Sequence, residues 1–467
     1  MDPNLEQKIR ARMESKNIHP DMITEFLRRA GLVASGYSGK IPWNRIGDLT
    51  RDDYRALEDL PAPGDPVSYL KELAVIKLNG GLGTSMGLSR VKSIISVKDG
   101  YNFLQIIRHQ VQKLRTAHGV DVPSFFMNSF NTRDDTLAED GIATINAAAG
   151  DLPADFLQNM VPRIHAETFA PIGDGSDNAH WCPPGHGDVF LSLKISGLLD
   201  RLLDGGFRVV FLSNGDNLGA TVEPRILAHL LDEKLEFVSE QTPKTKADLK
   251  GGVLYRKLDG AGAAGQIELL ETAQVEPEHV PDFKDVNRFA YFNTNNIWVH
   301  LEALRDALKQ GLPLSLIVNP KEVAGDPVLQ LETAMGSGIG QFDRTRGVII
   351  PRSRFAPVKN CADLLVRRSD VYVLQDDFQL VANPARALGE PEVSLDDAHY
   401  KQLGDFDALV TTPPSLLEVS KLTVQGPVRF DAPIKLAGEV TIINEGSEPK
   451  SIGAVGRGEL RDETVKL

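Results

Sequence analysis

Between about residue 70 and residue 375 the chain alternates short β-rich runs with amphipathic helical ones, and no other feature restricts its fold as strongly. LAVIKL (73–78), PSFFMNSF (123–130), RVVFLS (208–213) and KLEFVS (234–239) are apolar runs of strand length. FLQIIRHQVQKL follows the first, and a segment containing ILAHLL follows the third, both with apolar residues at helical spacing. This alternation predicts an α/β fold with a doubly wound sheet. Ligands in such sheets bind beyond the carboxyl ends of the strands. That is where this chain carries its Gly-rich and Asn/Asp-rich loops.

The flanks differ from this centre. Residues 1–60 read as helical: Leu5, Ile9 and Met13 recur at fourfold spacing. A second helix is predicted from Pro20 through Ile23, Phe26 and Leu27, stopping at Gly31. Leu60-Pro61-Ala62-Pro63-Gly64 reads as a linker. Near the other end Leu422, Val428, Ile434 and Val440 fall six apart, as do Val424, Phe430, Leu436 and Ile442. A period of six predicts a hexapeptide β-helix, with an antiparallel meander as the alternative. The hexads would give residues from about 405 onward an apolar core of their own. The expected division is an N-terminal helical segment 1–60, a catalytic domain 61–390 and a C-terminal domain 391–467.

Composition excludes several functions. A formal net charge of −13 argues against nucleic acid or an anionic membrane as partner. No apolar run is long enough to span a bilayer, and MDPNLEQKIRARMESK lacks the apolar core of a signal peptide. Cys182 and Cys361 are too few for a disulfide framework or a cysteine zinc site, and a cytoplasmic location is expected. If an acidic chain handles a polyphosphate, it must meet that charge locally, with a few basic side chains, backbone N–H groups and a metal ion.

Five loops offer such groups. Lys77-Leu78-Asn79-Gly80-Gly81-Leu82-Gly83-Thr84-Ser85-Met86-Gly87 runs from a strand into a loop with four glycines, with a helix expected next. Glycine lets backbone N–H groups approach a phosphate or a base, but the spacing fits neither a Walker loop nor the dinucleotide fingerprint. Lys92 follows in SRVKS, where a lysine can neutralise phosphate. Trp181-Cys182-Pro183-Pro184-Gly185-His186-Gly187-Asp188 is a shaped loop presenting a histidine, without the companions a zinc site needs. Ser213-Asn214-Gly215-Asp216-Asn217 follows a buried-type strand, a place suited to a Mg²⁺-binding carboxylate. Phe292-Asn293-Thr294-Asn295-Asn296, with Glu271 before it, offers amides and a carboxylate for sugar hydroxyls. Pro351-Arg352-Ser353-Arg354-Phe355-Ala356-Pro357-Val358-Lys359 is a basic, proline-bracketed loop. Taken singly, each is also what a turn or solvated loop without a ligand looks like.

Taken together, in this order, they resemble the eukaryotic-type UTP–glucose-1-phosphate uridylyltransferase (UDP-glucose pyrophosphorylase) family. The matching segments are KLNGGLGTSMG (77–87), FMNSFNT (126–132), WCPPGHGD (181–188), SNGDNLGATV (213–222), KADLKGG (246–252), FNTNN (292–296), QLETAMG (330–336) and PRSRFAPVK (351–359), spanning nearly the whole chain. The resemblance implies a glycosyltransferase-A-like doubly wound mixed sheet, N-terminal helices and a C-terminal left-handed β-helix. It implies UTP and glucose 1-phosphate as substrates, UDP-glucose and pyrophosphate as products, and Mg²⁺ as cofactor. In some relatives the C-terminal domain mediates homo-oligomers.

The implied roles fall on particular residues. Leu78, Asn79, Gly80 and Gly81 correspond to the nucleotide loop, with Gly81 also reaching the sugar. Gln158 and Gly187 correspond to the uracil contacts. Asn214 would touch ribose or sugar, and Asp216 would hold Mg²⁺. His186 corresponds to a sugar-phosphate contact, and Glu271, Phe292, Asn293 and Asn295 to the glucose pocket. Lys92 and Lys359 correspond to the catalytic, phosphate-binding lysines. The chain departs from the family pattern at Ser89-Arg90-Val91, where Arg90 would compensate for an altered phosphate affinity, and at Gly215, which would loosen the metal loop. Readings left open at this stage are a broader UDP-sugar or UDP-N-acetylhexosamine pyrophosphorylase, a metal-dependent glycosyltransferase and a non-catalytic UDP-sugar sensor.

Overall fold

The four apolar runs become strands of one sheet. A computed structural model describes residues 1–245, 248–259 and 263–467. Lys246 and Ala247, the start of the KADLKGG segment, lie outside the described residues. The central sheet comprises β1 (Tyr54–Ala56), β2 (Leu73–Asn79), β3 (Ser124–Asn128), β4 (Asp155–Leu157), β5 (Val209–Asn214), β6 (Phe237–Pro243), β7 (Tyr291–His300) and β8 (Thr345–Ile349). Their order across the sheet is β1-β8-β6-β7-β5-β2-β3-β4. β7 runs antiparallel to both neighbours and the other pairings are parallel, so the sheet is mixed.

Apolar side chains cover both faces. One face packs Ala74, Ile76, Val210 and Leu212 against helices that supply Phe190, Leu193, Leu199 and Leu304. The other packs Val75, Phe211 and Trp298 against Ile226, Leu227 and Leu230 of the helix Pro224–Asp232. Parallel central strands are buried on both faces, which is why they read as continuous apolar runs.

The structure corrects three sequence expectations here. The helix Pro20–Ala34 runs through Gly31, because Met22, Ile23, Phe26, Ala30 and Val33 are buried along one face. That burial outweighs the roughly 1 kcal/mol a glycine costs near a helix end. The segment 1–60 is not wholly helical: Ile46–Gly47 pairs with the strand Val253–Leu258, and β1 closes the sheet edge against β8. KLEFVS becomes a strand only from Phe237, since Lys234 occupies a turn with φ of 52° after the preceding helix.

Near the C-terminus β9 (Glu392–Leu395), β10 (Ser415–Gln425), β11 (Lys435–Ile443) and β12 (Glu459–Lys466) stack in that order, all parallel. Leu422 pairs with Val440 and Val424 with Ile442, so residues three hexads apart lie side by side. Parallel pairing excludes the meander. All eight hexad residues are at most 5% exposed, so the period of six does mark an apolar interior. That interior is not independent, however. It is continuous with Ile106 and Ile107 of the helix Phe103–His118 and with Leu364 and Leu365 of the helix Cys361–Arg368.

Candidate active site

The carboxyl ends of β2 and β5, adjacent and parallel, open into a cleft of about 340 Å³. Of the sequence-predicted residues, Leu78, Asn79, Gly80, Gly81, Lys92, Gln158, His186, Asn214 and Asp216 line it together. They come from five separate segments of the chain, which only the sheet order brings together.

One end of the cleft is tightly built. A methyl group at Gly80 would meet the Gln158 amide at 2.6–3.0 Å, so glycine is what lets that amide lie across the loop. Gln158 itself is 9% exposed, and its backbone N–H donates to the Asn128 carbonyl at 2.8 Å. Next to it, Asn159 donates its backbone N–H to Asp188 Oδ2 at 2.6 Å, and Ser192 Oγ donates to the same carboxylate at 2.7 Å. The buried Asp188 thus pins Gln158 to the His186 loop.

His186 is defined by one bond: its Nδ1 accepts the Met335 backbone N–H at 3.1 Å. Burial pushes its pKa down to about 4. The imidazole is therefore neutral near pH 7, and its remaining proton sits on Nε2 as a donor. Gly187 does not line the cleft; it is buried behind its wall, against Thr333 and Leu314.

The other end carries charge. Lys92 Nζ donates to Asp216 Oδ2 at 2.6 Å, with both side chains partly exposed. The residues given phosphate and metal roles thus bind each other. Gly215 does not loosen this loop: its N–H donates to the Leu78 carbonyl at 2.9 Å, tying the metal loop to the nucleotide loop. Arg90 does not line the cleft; it is exposed and paired with Asp135 at 2.8 Å. The helix expected after the glycines is only a three-residue turn, Lys92–Ile94, so no helix dipole serves this loop.

The residues assigned to glucose form a neighbouring cluster, outside the cleft lining. Phe292 meets Phe355 edge-on at 5.1 Å, with the Arg352 guanidinium 5.4 Å from each ring centre. Asn293 Nδ2 donates to Asn295 Oδ1 at 2.8 Å. Burial raises the Glu271 carboxyl to about 7, and a methyl group at Gly252 would touch that carboxyl at 2.9 Å. Lys359 is exposed at the rim. Its carbonyl accepts from Ser85 Oγ of the glycine loop at 3.3 Å, while its Nζ lies 6.0 Å from the Phe355 ring centre.

Sequence reading missed Ser93, Met127, Pro183, Gly185 and Glu332, which also line the cleft. All five stand inside segments already matched or next to Lys92, Glu332 within QLETAMG. Burial raises its pKa too.

Among the described residues no three His, Cys, Asp or Glu side chains gather into a metal cage. Asp216, beside Asn214, offers a single carboxylate. That donor set suits Mg²⁺, which commonly takes one or two protein carboxylates and completes its shell with water and substrate phosphates.

A family model described as UTP–glucose-1-phosphate uridylyltransferase matches residues 24–437. The chain is 43% identical over 427 residues to the UTP–glucose-1-phosphate uridylyltransferase of Solanum tuberosum, covering 89% of this chain and 87% of that one. It is 39% identical over 440 residues to the Saccharomyces cerevisiae protein of the same name, covering 93% and 86%. Its fold matches a Leishmania major UDP-glucose pyrophosphorylase mutant solved with UDP-glucose, at TM-score 0.90 and 37% identity over 100% of both chains. A Trypanosoma brucei structure titled UDP-glucose phosphorylase matches at TM-score 0.88 and 37% identity, over 99% of this chain and 100% of that one. With a family model spanning most of its length and relatives this similar over nine-tenths of it, the chain belongs to the UTP–glucose-1-phosphate uridylyltransferase family.

Proposed function

We propose that the cleft transfers the uridylyl group of UTP to glucose 1-phosphate, giving UDP-glucose and pyrophosphate reversibly. The observation that carries this reading is the convergence, at the ends of β2 and β5, of a buried amide, a glycine loop and the Lys92–Asp216 pair. The Gln158 amide would pair with the uracil edge. Leu78, Asn79, Gly80 and Gly81 would receive the nucleotide, and Asn214 its ribose or the sugar. His186 would donate from Nε2 to the sugar phosphate. Glu271, Phe292, Asn293 and Asn295 would surround the glucose.

A phosphate oxygen of glucose 1-phosphate attacks the α-phosphorus of UTP, and the bond to the β-phosphate oxygen breaks. The attacking oxygen is already anionic, so the protein need supply neither nucleophile nor general base. What it must supply is alignment and charge neutralisation. Two unit anions about 4 Å apart repel by about 4 kcal/mol at an effective dielectric of about 20. Lys92, released from Asp216, and Lys359, swung in from the rim, would offset this. Asp216 would hold Mg²⁺, which neutralises phosphate charge when bound.

Three finer points belong to the same reading. The chain divides into 1–60, 61–390 and 391–467, and the parallel C-terminal stack with its period of six is a left-handed β-helix, the surface through which copies would assemble. The location is cytoplasmic, a reading supported by the two buried free cysteines. Among the described residues no helix is long and apolar enough to cross a membrane.

The deciding experiment is pyrophosphate release from UTP with and without glucose 1-phosphate, repeated with galactose and N-acetylglucosamine 1-phosphates. Release is expected to require a sugar phosphate and to be fastest with glucose. Faster release with N-acetylglucosamine 1-phosphate would favour the broader alternative, and none with any sugar phosphate would favour a sensor.

A further inference from the structure

Glu240 stands in β6 without a part in the chemistry, yet it is fully buried and its carboxylate accepts four hydrogen bonds. Arg354 donates twice, Nε at 3.0 Å and Nη2 at 2.7 Å. Asn296 Nδ2 donates at 3.0 Å and Trp298 Nε1 at 2.9 Å. A buried carboxylate is costly unless its lone pairs are filled, and here four donors fill them. A core under selection for stability alone is served as well by apolar side chains of the same volume. What this carboxylate adds is direction, because its donors come from different parts of the site.

Three links lead outward. Arg354 belongs to the loop that ends at Lys359, five residues on. Asn296 shares its other end with the metal loop: Asn217 Nδ2 donates to Asn296 Oδ1 at 3.2 Å, and Asn217 Oδ1 accepts the Ala356 N–H at 2.9 Å. The third link is the strand itself. β6 and β7 lose register between Ser239 and Gln241, which pair with Ile297 and Asn293. Glu240 therefore faces the bulged residues of β7, and its carbonyl accepts Thr294 Oγ1 at 2.8 Å. In that bulge Asn295 is held at φ of 59° and receives the Asn293 amide. The base-reading end, at Gln158 and Gly80, has no bond to this network among the described residues.

We infer that Glu240 is a positioning residue: one buried carboxylate sets the glucose-pocket bulge, the Asp216 loop and the Lys359 loop in mutual register. The inference rests on the roles proposed above for those three groups. Its signature is a split between substrates. Disturbing Glu240 should damage sugar-phosphate use and turnover while leaving nucleotide binding near normal.

The experiment compares Glu240→Gln and Asn296→Leu with the full-length wild-type enzyme. Readouts are kcat, KM for each substrate, UTP affinity by calorimetry and thermal melting. Glu240→Gln turns one acceptor into a donor facing Arg354 or Asn296. It should lower kcat about 10²-fold, the effect of misplacing groups by about 1 Å from a distance. KM for glucose 1-phosphate should rise, with UTP affinity within about threefold, less than one direct contact supplies. Asn296→Leu keeps the Glu240–Arg354 pair but removes the Asn296 donor to Glu240 and the link to Asn217, so a smaller loss in the same pattern is expected. A folded variant with wild-type kcat overturns the inference, as does a fall in UTP affinity and turnover in equal proportion. If Glu240→Gln does not fold, Asn296→Leu decides alone. The site assignments fail separately: full activity in Asp216→Ala or Lys359→Met would sink them whatever the Glu240 variants do.

Discussion

The two ends of the cleft are made differently. At the base end the polar groups are held in place by the chain around them: Gln158 lies against Gly80, and Asp188 clamps Asn159 to the His186 loop. At the transfer end the charged groups are partly exposed and satisfied by each other or by solvent, as with Lys92 on Asp216 and Lys359 at the rim. On the proposed assignment recognition can be rigid, because uracil would present one edge throughout the reaction, whereas charge neutralisation would have to follow phosphates that arrive, react and leave. The Lys92–Asp216 pair is partly exposed, and on the proposed reading its members would separate to meet phosphate and metal.

The strongest way to break this contrast is at the transfer end. Asp216→Ala removes the carboxylate that Lys92 pairs with and that is proposed to hold Mg²⁺. Activity should fall by about 10³-fold or more, with the fold intact and UTP still bound at the base end. Turnover within tenfold of wild type under saturating Mg²⁺ would refute the role. Lys359→Met comes next. If this lysine acts on charge that develops during transfer, kcat should fall about 10²-fold while both KM values change little, and Lys359→Arg should rescue only in part. A solvated rim lysine would instead give less than a twofold effect, and measuring kcat for the two variants separates the cases.

The same contrast explains what the sequence could tell. The sheet and the loops that line the cleft were legible because they rest on local pattern: apolar runs of strand length, a glycine cluster after β2, Pro and Gly framing His186, whereas Gln158 entered only through the family resemblance. The hexads showed the C-terminal interior because a repeat of six survives without knowledge of the partner strand. Relations between distant segments were not legible. Nothing in SRVKS indicates that Lys92 reaches Asp216, and nothing in β6 indicates that Glu240 receives Arg354. Glu332 was invisible as a lining residue because β-strand periodicity does not say which face meets a cleft. The helix expected after the four-glycine loop is only the three-residue turn Lys92–Ile94, since the chain there is committed to tertiary contacts: Ser85 reaches Lys359, Met86 is buried and Lys92 reaches Asp216.

At the base end the prediction is a change of selectivity more than of rate. Gly80→Ala drives a methyl group into the Gln158 amide, and Gln158→Leu removes that amide while keeping its bulk. A site built to hydrogen-bond a substrate group rejects analogues lacking it, and unmaking one such neutral bond costs about 1–3 kcal/mol. Both variants should raise KM for UTP by about tenfold and narrow the preference over CTP, with kcat less affected. Unchanged discrimination between UTP and CTP in Gln158→Leu would remove Gln158 from the uracil contacts and leave base reading to the backbone.

The smallest effect expected lies outside the cleft lining, at Glu271 in the neighbouring cluster. Burial raises its carboxyl from the ordinary 4.5 to about 7. Between those values the folded chain keeps a proton that the unfolded chain has released, so protons are bound more by the native state there. The stability this group contributes is therefore full below about 4.5 and is lost as pH rises through about 7. Because the side chain keeps some contact with solvent, the change is on the order of 1 kcal/mol. Denaturant titrations at pH 5 and pH 8 should show wild type losing that much relative to Glu271→Gln, which cannot titrate. Affinity for UDP-glucose should move the other way, since the ionised carboxylate is the better acceptor for sugar hydroxyls and this ligand does not itself titrate between pH 6 and pH 8. Wild-type binding should tighten a fewfold across that interval while Glu271→Gln stays flat. Parallel pH profiles for the two proteins would place Glu271 outside the glucose pocket, as a buried acid that serves packing against Gly252 alone.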